Sequence, residues 1–401
     1  MKILGIHAQD HYGVGGALRG HEMGEALMRL GHEIIPMDPT AGAWTMIKNG
    51  ADVDAVVLAG TWHQLMIANS HAQLVADACD ARKIPCLWWY GSNGSVFSCV
   101  DADPAVRRAS ENRVIDLICT RKFIGVICPY SIEIYKRHGV PADKMRLVPS
   151  VFDADLFCPA MSSYDQRVTA RLKYKYGIPS DAFCLGTIGN TPNSKGGDDV
   201  LKALALLAPE MPDLHYVILH TPAQLLSKVR AKSPDGLREG KSEADVLQDS
   251  KNLAKKLGLG DRVHFIGARF PREAMPMFYR CLDVYCSPSK AENLGQPLVE
   301  SQLCGIPLVT YKGFSFDFVA APTAEQIEPS GTVTDDYGLI IPEADPIVLA
   351  NAIRRARLTA ETHKPIGGVN ATRVWAYQKF HHHNANKMMA AIAEYKELLH
   401  G

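Results

Sequence analysis

The sequence predicts an α/β protein made of two doubly wound domains that face an interdomain cleft, and three observations predict it. Short apolar runs alternate with helix-period stretches from the first residues onward. The alternation comes as two series of similar length, and residues 152–168, FDADLFCPAMSSYDQRV, interrupt it with Pro, Ser and Asp. At 401 residues the chain is long for one core and comfortable for two.

In the first series the predicted strands are KILGIH, EIIPM, DAVVLAG, PCLWWY, FIGVIC and RLVPS. Such short, predominantly apolar runs, with charge confined to their ends, suit strands of a parallel sheet covered on both faces. Helices run through HEMGEALMRLG, residues 21–31, where Gly31 suits a left-handed cap, and through NSHAQLVADACDARK. Residues 152–168 then read as a linker or hinge. The second series contains FCLGTIG, LHYVILH, RVHFIG, DVYCSPS, IPLVTY and GLIIP, and residues 227–256 read as a charged, exposed loop followed by a helix. Ligands of open α/β sheets sit outside the carboxyl ends of the strands, so two facing sheets make the interdomain cleft the default site.

Composition narrows the class. The chain is 47% hydrophobic and 21% charged, an ordinary globular balance, and Lys+Arg equal Asp+Glu at 43 each. No overall field therefore favours a nucleic acid or another polyanion. The start, MKILGIHAQDHYGVGG, lacks the pattern of a signal peptide, and the apolar runs fall far short of the roughly 20 residues that span a bilayer. Ten cysteines occur without a C-x-x-C pair, which points to reduced thiols and a cytoplasmic, non-transmembrane protein.

The chemistry concentrates in SPSKAENLGQPLVESQLCGIPLVTY. A strand ends in DVYCSPS, KAEN forms the loop at its carboxyl end, and GQPLVESQLCG is a helix with Pro297 in its first turn and Gly305 as its stop. Glu292 then lies in the loop and Glu300 inside the helix. Carboxylates accept hydrogen bonds from neighbouring hydroxyls, and the amides of Asn293, Leu294 and Gly295 at a helix start suit a phosphate. Together these groups describe a sugar-phosphate ligand.

This stretch resembles the E-x7-E signature of the retaining glycosyltransferase family four, whose members have the GT-B fold. Residues 13–34, 135–159, 261–289 and 337–353 resemble other family segments in the same order. The resemblance implies a Rossmann-like acceptor-side domain at 1–160, a Rossmann-like nucleotide-sugar domain at 161–375 and a helix at 376–401 returning to the first domain. It implies a hexosyltransferase that takes a nucleotide-diphosphate sugar and passes the sugar, with retention, to a carbohydrate, lipid-linked or small-molecule acceptor. By the same resemblance Glu300 holds the donor ribose, Glu292 lies by the transferred sugar, and Gly15 and Gly16 approach the donor phosphates. Lys195 neutralises the leaving diphosphate, with Arg269 and Arg272 as further basic candidates.

The sequence departs from the family at three places. Asn190 stands where an arginine completes the diphosphate clamp, WWYGSNGS at 88–95 lacks the usual histidine, and LHTPA at 219–223 replaces a glycine-rich turn. His63 in GTWH is the candidate substitute near the reacting sugar. The departures keep rival readings open: an epimerase or hydrolase of the same fold, a non-catalytic nucleotide-sugar binder, or a transferase acting on a modified DNA base. No metal site and no cofactor are expected. His381, His382 and His383 form, on this reading, a helical run that cannot aim three consecutive rings at one ion. The aspartates at 52–54, 101–103 and 153–155 read as turns or a strand start.

Overall fold

The computed structural model describes residues 1–6, 15–37, 41–60, 69–90, 112, 114–189, 195–222, 241–289, 292, 294–311, 316–319, 332–334, 338–341, 345–362 and 371–400. The chain divides into two compact units, Met1–Asp153 with Lys379–Gly401, and Ala154–Gln378. The division thus falls at Asp153 and Lys379 rather than at residues 160 and 376.

Unit 1 is a six-stranded parallel sheet in the order β2-β1-β3-β4-β5-β6. Its strands are β1 Lys2–Ile6, β2 Glu33–Met37, β3 Ala55–Gly60, β4 Cys86–Tyr90, β5 Ile124–Val126 and β6 Met145–Leu147. The helices between them include α1 Gly15–Arg29, α2 Ala41–Lys48, α3 Asn69–Ala81 and α4 Pro129–Arg137, and residues 114–120 are also helical. Leu4, Val56, Leu58, Ile124 and Val126 of the strands pack against Val75, Ala76 and Cys79 of α3 and Tyr135 of α4. The strand order reverses between β1 and β3, and α1 opens with Gly15 and Gly16 at the carboxyl end of β1, the end where ligands of such sheets bind.

Unit 2 holds seven strands in the order β12-β13-β11-β10-β7-β8-β9. They are β7 Phe183–Ile188, β8 Leu214–His220, β9 Val263–Gly267, β10 Val284–Cys286, β11 Leu308–Tyr311, β12 Thr332–Thr334 and β13 Gly338–Ile341. All neighbours run parallel except β12, an antiparallel edge strand that the sequence pattern did not reveal. The helices are α5 Ser163–Lys175, α6 Gly197–Leu207, α7 Glu243–Lys256, α8 Met275–Tyr279, α9 Gln296–Leu303, α10 Phe316–Val319, α11 Pro346–Thr362 and α12 Ala371–Phe380. Leu185, Tyr216, Ile218, Val284 and Val309 of the sheet pack against Val200, Leu201 and Leu204 of α6 and Leu349 and Ile353 of α11.

Helix α5 corrects the reading of 152–168 as a linker throughout. Ser162 accepts from the Asp165 amide at 3.1 Å while the Asp165 carboxylate accepts from the Ser162 amide at 3.0 Å, a reciprocal cap that starts the helix inside that segment. The helix buries no side chain, so it carries no apolar periodicity to betray it. Arg280 holds it in place through Asp165 at 2.9 Å.

Two histidines couple the β8–β9 ladder to pH. His215 Nδ1 and His264 Nε2 lie 2.9 Å apart, and the rings stack at 5.2 Å. Burial lowers the pKa of both below 6.5, reinforced at His215 by His264 and Arg262. Folded-state values below the unfolded one mean that the stabilisation is complete above about pH 6.5 and is lost as pH falls through the folded values. The thermal midpoint should therefore drop below pH 6.5, and His215→Asn/His264→Gln, which keep one donor–acceptor pair, should flatten that slope. His220, lowered in the same sense by burial, remains in both proteins. An unchanged slope in the double variant would reject this assignment.

The tail returns to unit 1. Helix α13, Asn386–His400, sets the Tyr395 ring edge-on against Phe123 at 5.2 Å, and Arg146 grips Glu394 from Nε at 2.9 and 3.0 Å. The histidines at 381–383 are not the helical run expected. Helix α12 stops at Phe380, His381 is extended (φ −58°, ψ 153°) and bridges Phe152, and a 3₁₀ turn covers His382–Ala385. Leaving the helix lets the three rings converge, with one ligand nitrogen from each lying within 4.8 Å of the others.

Candidate active site

The strand order of unit 2 reverses between β7 and β10, so the chain leaves these two neighbours in different directions and opens a crevice at their carboxyl ends. Lys195 follows β7 and Glu292 follows β10. The Lys195 ammonium donates to Glu292 Oε1, which brings two residues 97 positions apart into one ion pair. The side chains are 24% and 11% exposed, so the pair is partly shielded from solvent.

Backbone shape makes room for that lysine. A Cβ on Gly189, at the end of β7, would stand 2.6 Å from the Lys195 Cγ, so the stem lies directly on a bare backbone. Gly196 then opens α6 with φ +74°, and a Cβ there would meet the Pro288 carbonyl oxygen at 2.1 Å. The β7 and β10 loops touch through this glycine. Gly196→Ala combines a left-handed backbone with a main-chain collision and should cost about 2–4 kcal/mol, with a fall of several degrees in Tm. A variant with wild-type Tm and nucleotide affinity would show that the contact gives way freely.

Glu300, in the second turn of α9, is 5% exposed and bonded through both carboxylate oxygens. Arg272 Nη1 donates to Oε1 at 3.0 Å, and the Tyr279 hydroxyl donates to Oε2 at 2.6 Å. Burial, and then the negative charge of Glu300, push the Tyr279 pKa well above 10, which keeps it a donor. Arg272 also lies over the Phe157 ring at 4.7 Å. Each carboxylate oxygen retains a second lone pair for an incoming hydroxyl. Tyr285 accepts the Ile188 amide at 3.1 Å, and its pKa is raised by burial and by Glu292 and Glu300 nearby. Leu294 is buried and Gly295 caps α9 with φ +72°.

Of the candidates read from sequence, unit 2 thus gathers Lys195 with Glu292, and places Glu300, Leu294 and Gly295 on the β10–α9 connection. Gly15 and Gly16 begin α1 in the other unit. His63, Asn190 and Asn293 lie outside the described residues. Tyr279 was missed: it stands seven residues after Arg272, a helical repeat that puts both on one side of the segment before β10, but nothing local marks either as a partner of Glu300.

Residues 168–366 match the family model described as glycosyl transferases group 1. The D-inositol 3-phosphate glycosyltransferase of Corynebacterium jeikeium is 28% identical over 218 residues, which cover 54% of this chain and 46% of the relative. That of Corynebacterium diphtheriae is 24% identical over 296 residues, covering 74% and 58%. The chain thus spans about half the length of the curated relatives it matches. Among solved structures, Anabaena HepE in complex with UDP and glucose superposes with a TM-score of 0.67 at 15% identity, covering 98% of this chain and 99% of that one. Sucrose-phosphate synthase of Thermosynechococcus elongatus gives 0.68 at 19%, covering 98% of each. Those structures share the GT-B fold, and residues 168–366 of this chain resemble the glycosyl transferases group 1 family.

Proposed function

We propose that the chain is a retaining glycosyltransferase that moves a hexosyl group from a nucleoside-diphosphate sugar to an acceptor hydroxyl without an essential divalent metal. The observation that carries the reading is the Lys195–Glu292 pair at the strand-order reversal of a group 1 domain, beside the buried Glu300. Glu300 would take ribose hydroxyls on its second lone pairs. Lys195 would exchange Glu292 for the diphosphate as negative charge gathers on the leaving oxygen. The released Glu292 would then face the transferred sugar. The C1–O bond to the diphosphate breaks, the acceptor oxygen bonds to the same face, and its proton passes to a diphosphate oxygen.

HepE was solved with UDP and glucose, and the curated relatives are named for D-inositol 3-phosphate, so UDP-glucose and inositol phosphates head the panels to screen. Carbohydrate and lipid-linked acceptors follow, with a modified DNA duplex as a further arm. The cytoplasm is the proposed compartment: no disulfide joins the nine described cysteines, and no described helix is long and apolar enough to cross a membrane.

The test is product analysis by NMR with and without excess chelator. An α-linked product from an α-linked donor, formed equally well with chelator present, is expected. An inverted anomer would overturn the retaining reading, and a complete, metal-reversible loss would overturn metal independence. Saturable donor binding with no turnover on any acceptor would instead favour a non-catalytic binder.

A further inference from the structure

Outside the transfer site, the densest group of ligating side chains among the described residues is the turn at His381, His382 and His383. Their ring centroids lie 3.7, 4.5 and 4.6 Å apart, and one nitrogen from each falls within 4.8 Å of the other two. We propose that these three imidazoles bind one divalent transition-metal ion, zinc in the first instance, as a structural site of unit 1.

Three features carry this. The first is reach. Nitrogens around a tetrahedral zinc at about 2.0–2.1 Å stand roughly 3.4 Å apart, so modest rotation of the half-buried His382 and the exposed His383 closes the set. The second is preorganisation. His381 is 5% exposed and fixed by its bridge to Phe152, and its Nδ1 accepts the His383 amide at 3.4 Å. That lone pair already points into the turn, and a metal ion would replace a long, weak contact.

The third is charge. Helix α1 packs against this turn. Its Arg29 pairs with Asp153 at 3.2 Å, next in sequence to Phe152, and the 6%-exposed Glu22 lies two turns earlier on the same stripe of α1. Asp153, the neighbour of the Phe152 that pairs with His381, therefore sets a carboxylate close to the turn, where its charge favours a bound cation. Neutral imidazole is the form that suits zinc, nickel or cobalt.

The proposal is independent of the transfer reaction, and its test separates them. The full chain, expressed without a polyhistidine tag and stripped with chelator, is titrated with zinc ion alone by calorimetry and thermal shift, and with cobalt ion by absorption. One saturable equivalent of zinc, a raised Tm and cobalt d–d bands without a thiolate charge-transfer band are expected. His383→Asn should weaken zinc at least tenfold, and His382→Asn/His383→Asn should abolish the site; both positions are exposed enough for the fold to survive, which circular dichroism checks. Unaltered zinc affinity in the double variant, a thiolate band, or no saturable binding below millimolar zinc would overturn it. Transfer by the stripped protein reports on the proposed reaction alone.

Discussion

Lys195→Ala and Lys195→Met should each lower turnover at saturating donor by about 10²–10³-fold while leaving the affinity for the corresponding nucleoside nearly unchanged. On the proposed reading, the charge that Lys195 meets exists on the diphosphate and grows as the glycosidic bond breaks, so its loss falls on the chemical step. The methionine variant matters because the lysine stem lies on Gly189, and methionine keeps that apolar contact while deleting the ammonium. A loss common to both variants is then electrostatic, whereas a loss confined to alanine is packing. Because Lys195 and Glu292 share an ion pair, combining Lys195→Met with Glu292→Gln should cost less than the two single losses added together. Wild-type turnover in Lys195→Met at saturating donor would remove Lys195 from the mechanism.

How far the sequence carried this reading can be seen residue by residue. Strands such as FCLGTIG and LHYVILH are buried along nearly their whole length, which is why continuous apolar runs were a sufficient signal. Helix α9 was legible from Pro297 and Gly305, which bound it chemically. Helix α5 was not, since a surface helix held by a cap and by Arg280 has no stripe to detect. The edge strand β12 is only three residues long and takes its register from β13. The histidine turn was misread because the break depends on a pairing of His381 with Phe152, 229 residues away, that no local window contains. In the site, the two glutamates stood out through the resemblance of their flanking segments to a known family and not through their spacing, and the grip of Arg272 and Tyr279 on Glu300 is a tertiary fact.

That grip gives Glu300 two separable roles and a second large effect. Glu300→Leu should destabilise unit 2 by about 3–5 kcal/mol, because it leaves Arg272, with a side chain only 16% exposed, without its carboxylate. In a unit of this size that is roughly a 10 °C fall in Tm. Arg272→Met/Glu300→Leu should recover most of the loss, since a matched apolar pair replaces a buried ion pair at little net cost. Glu300→Gln keeps an acceptor for Arg272 and should stay folded, yet it weakens the charge-assisted bonds proposed for the ribose, by about 1–3 kcal/mol in nucleotide affinity. Stability and binding then diverge: the double variant is stable and binds poorly, while the glutamine variant is stable and discriminates less between a ribonucleotide and its 2′,3′-dideoxy analogue. Full ribonucleotide affinity in Glu300→Gln, with discrimination intact, would leave Glu300 as a purely structural anchor for Arg272 and Tyr279 and move the ribose contact elsewhere on the β10–α9 connection.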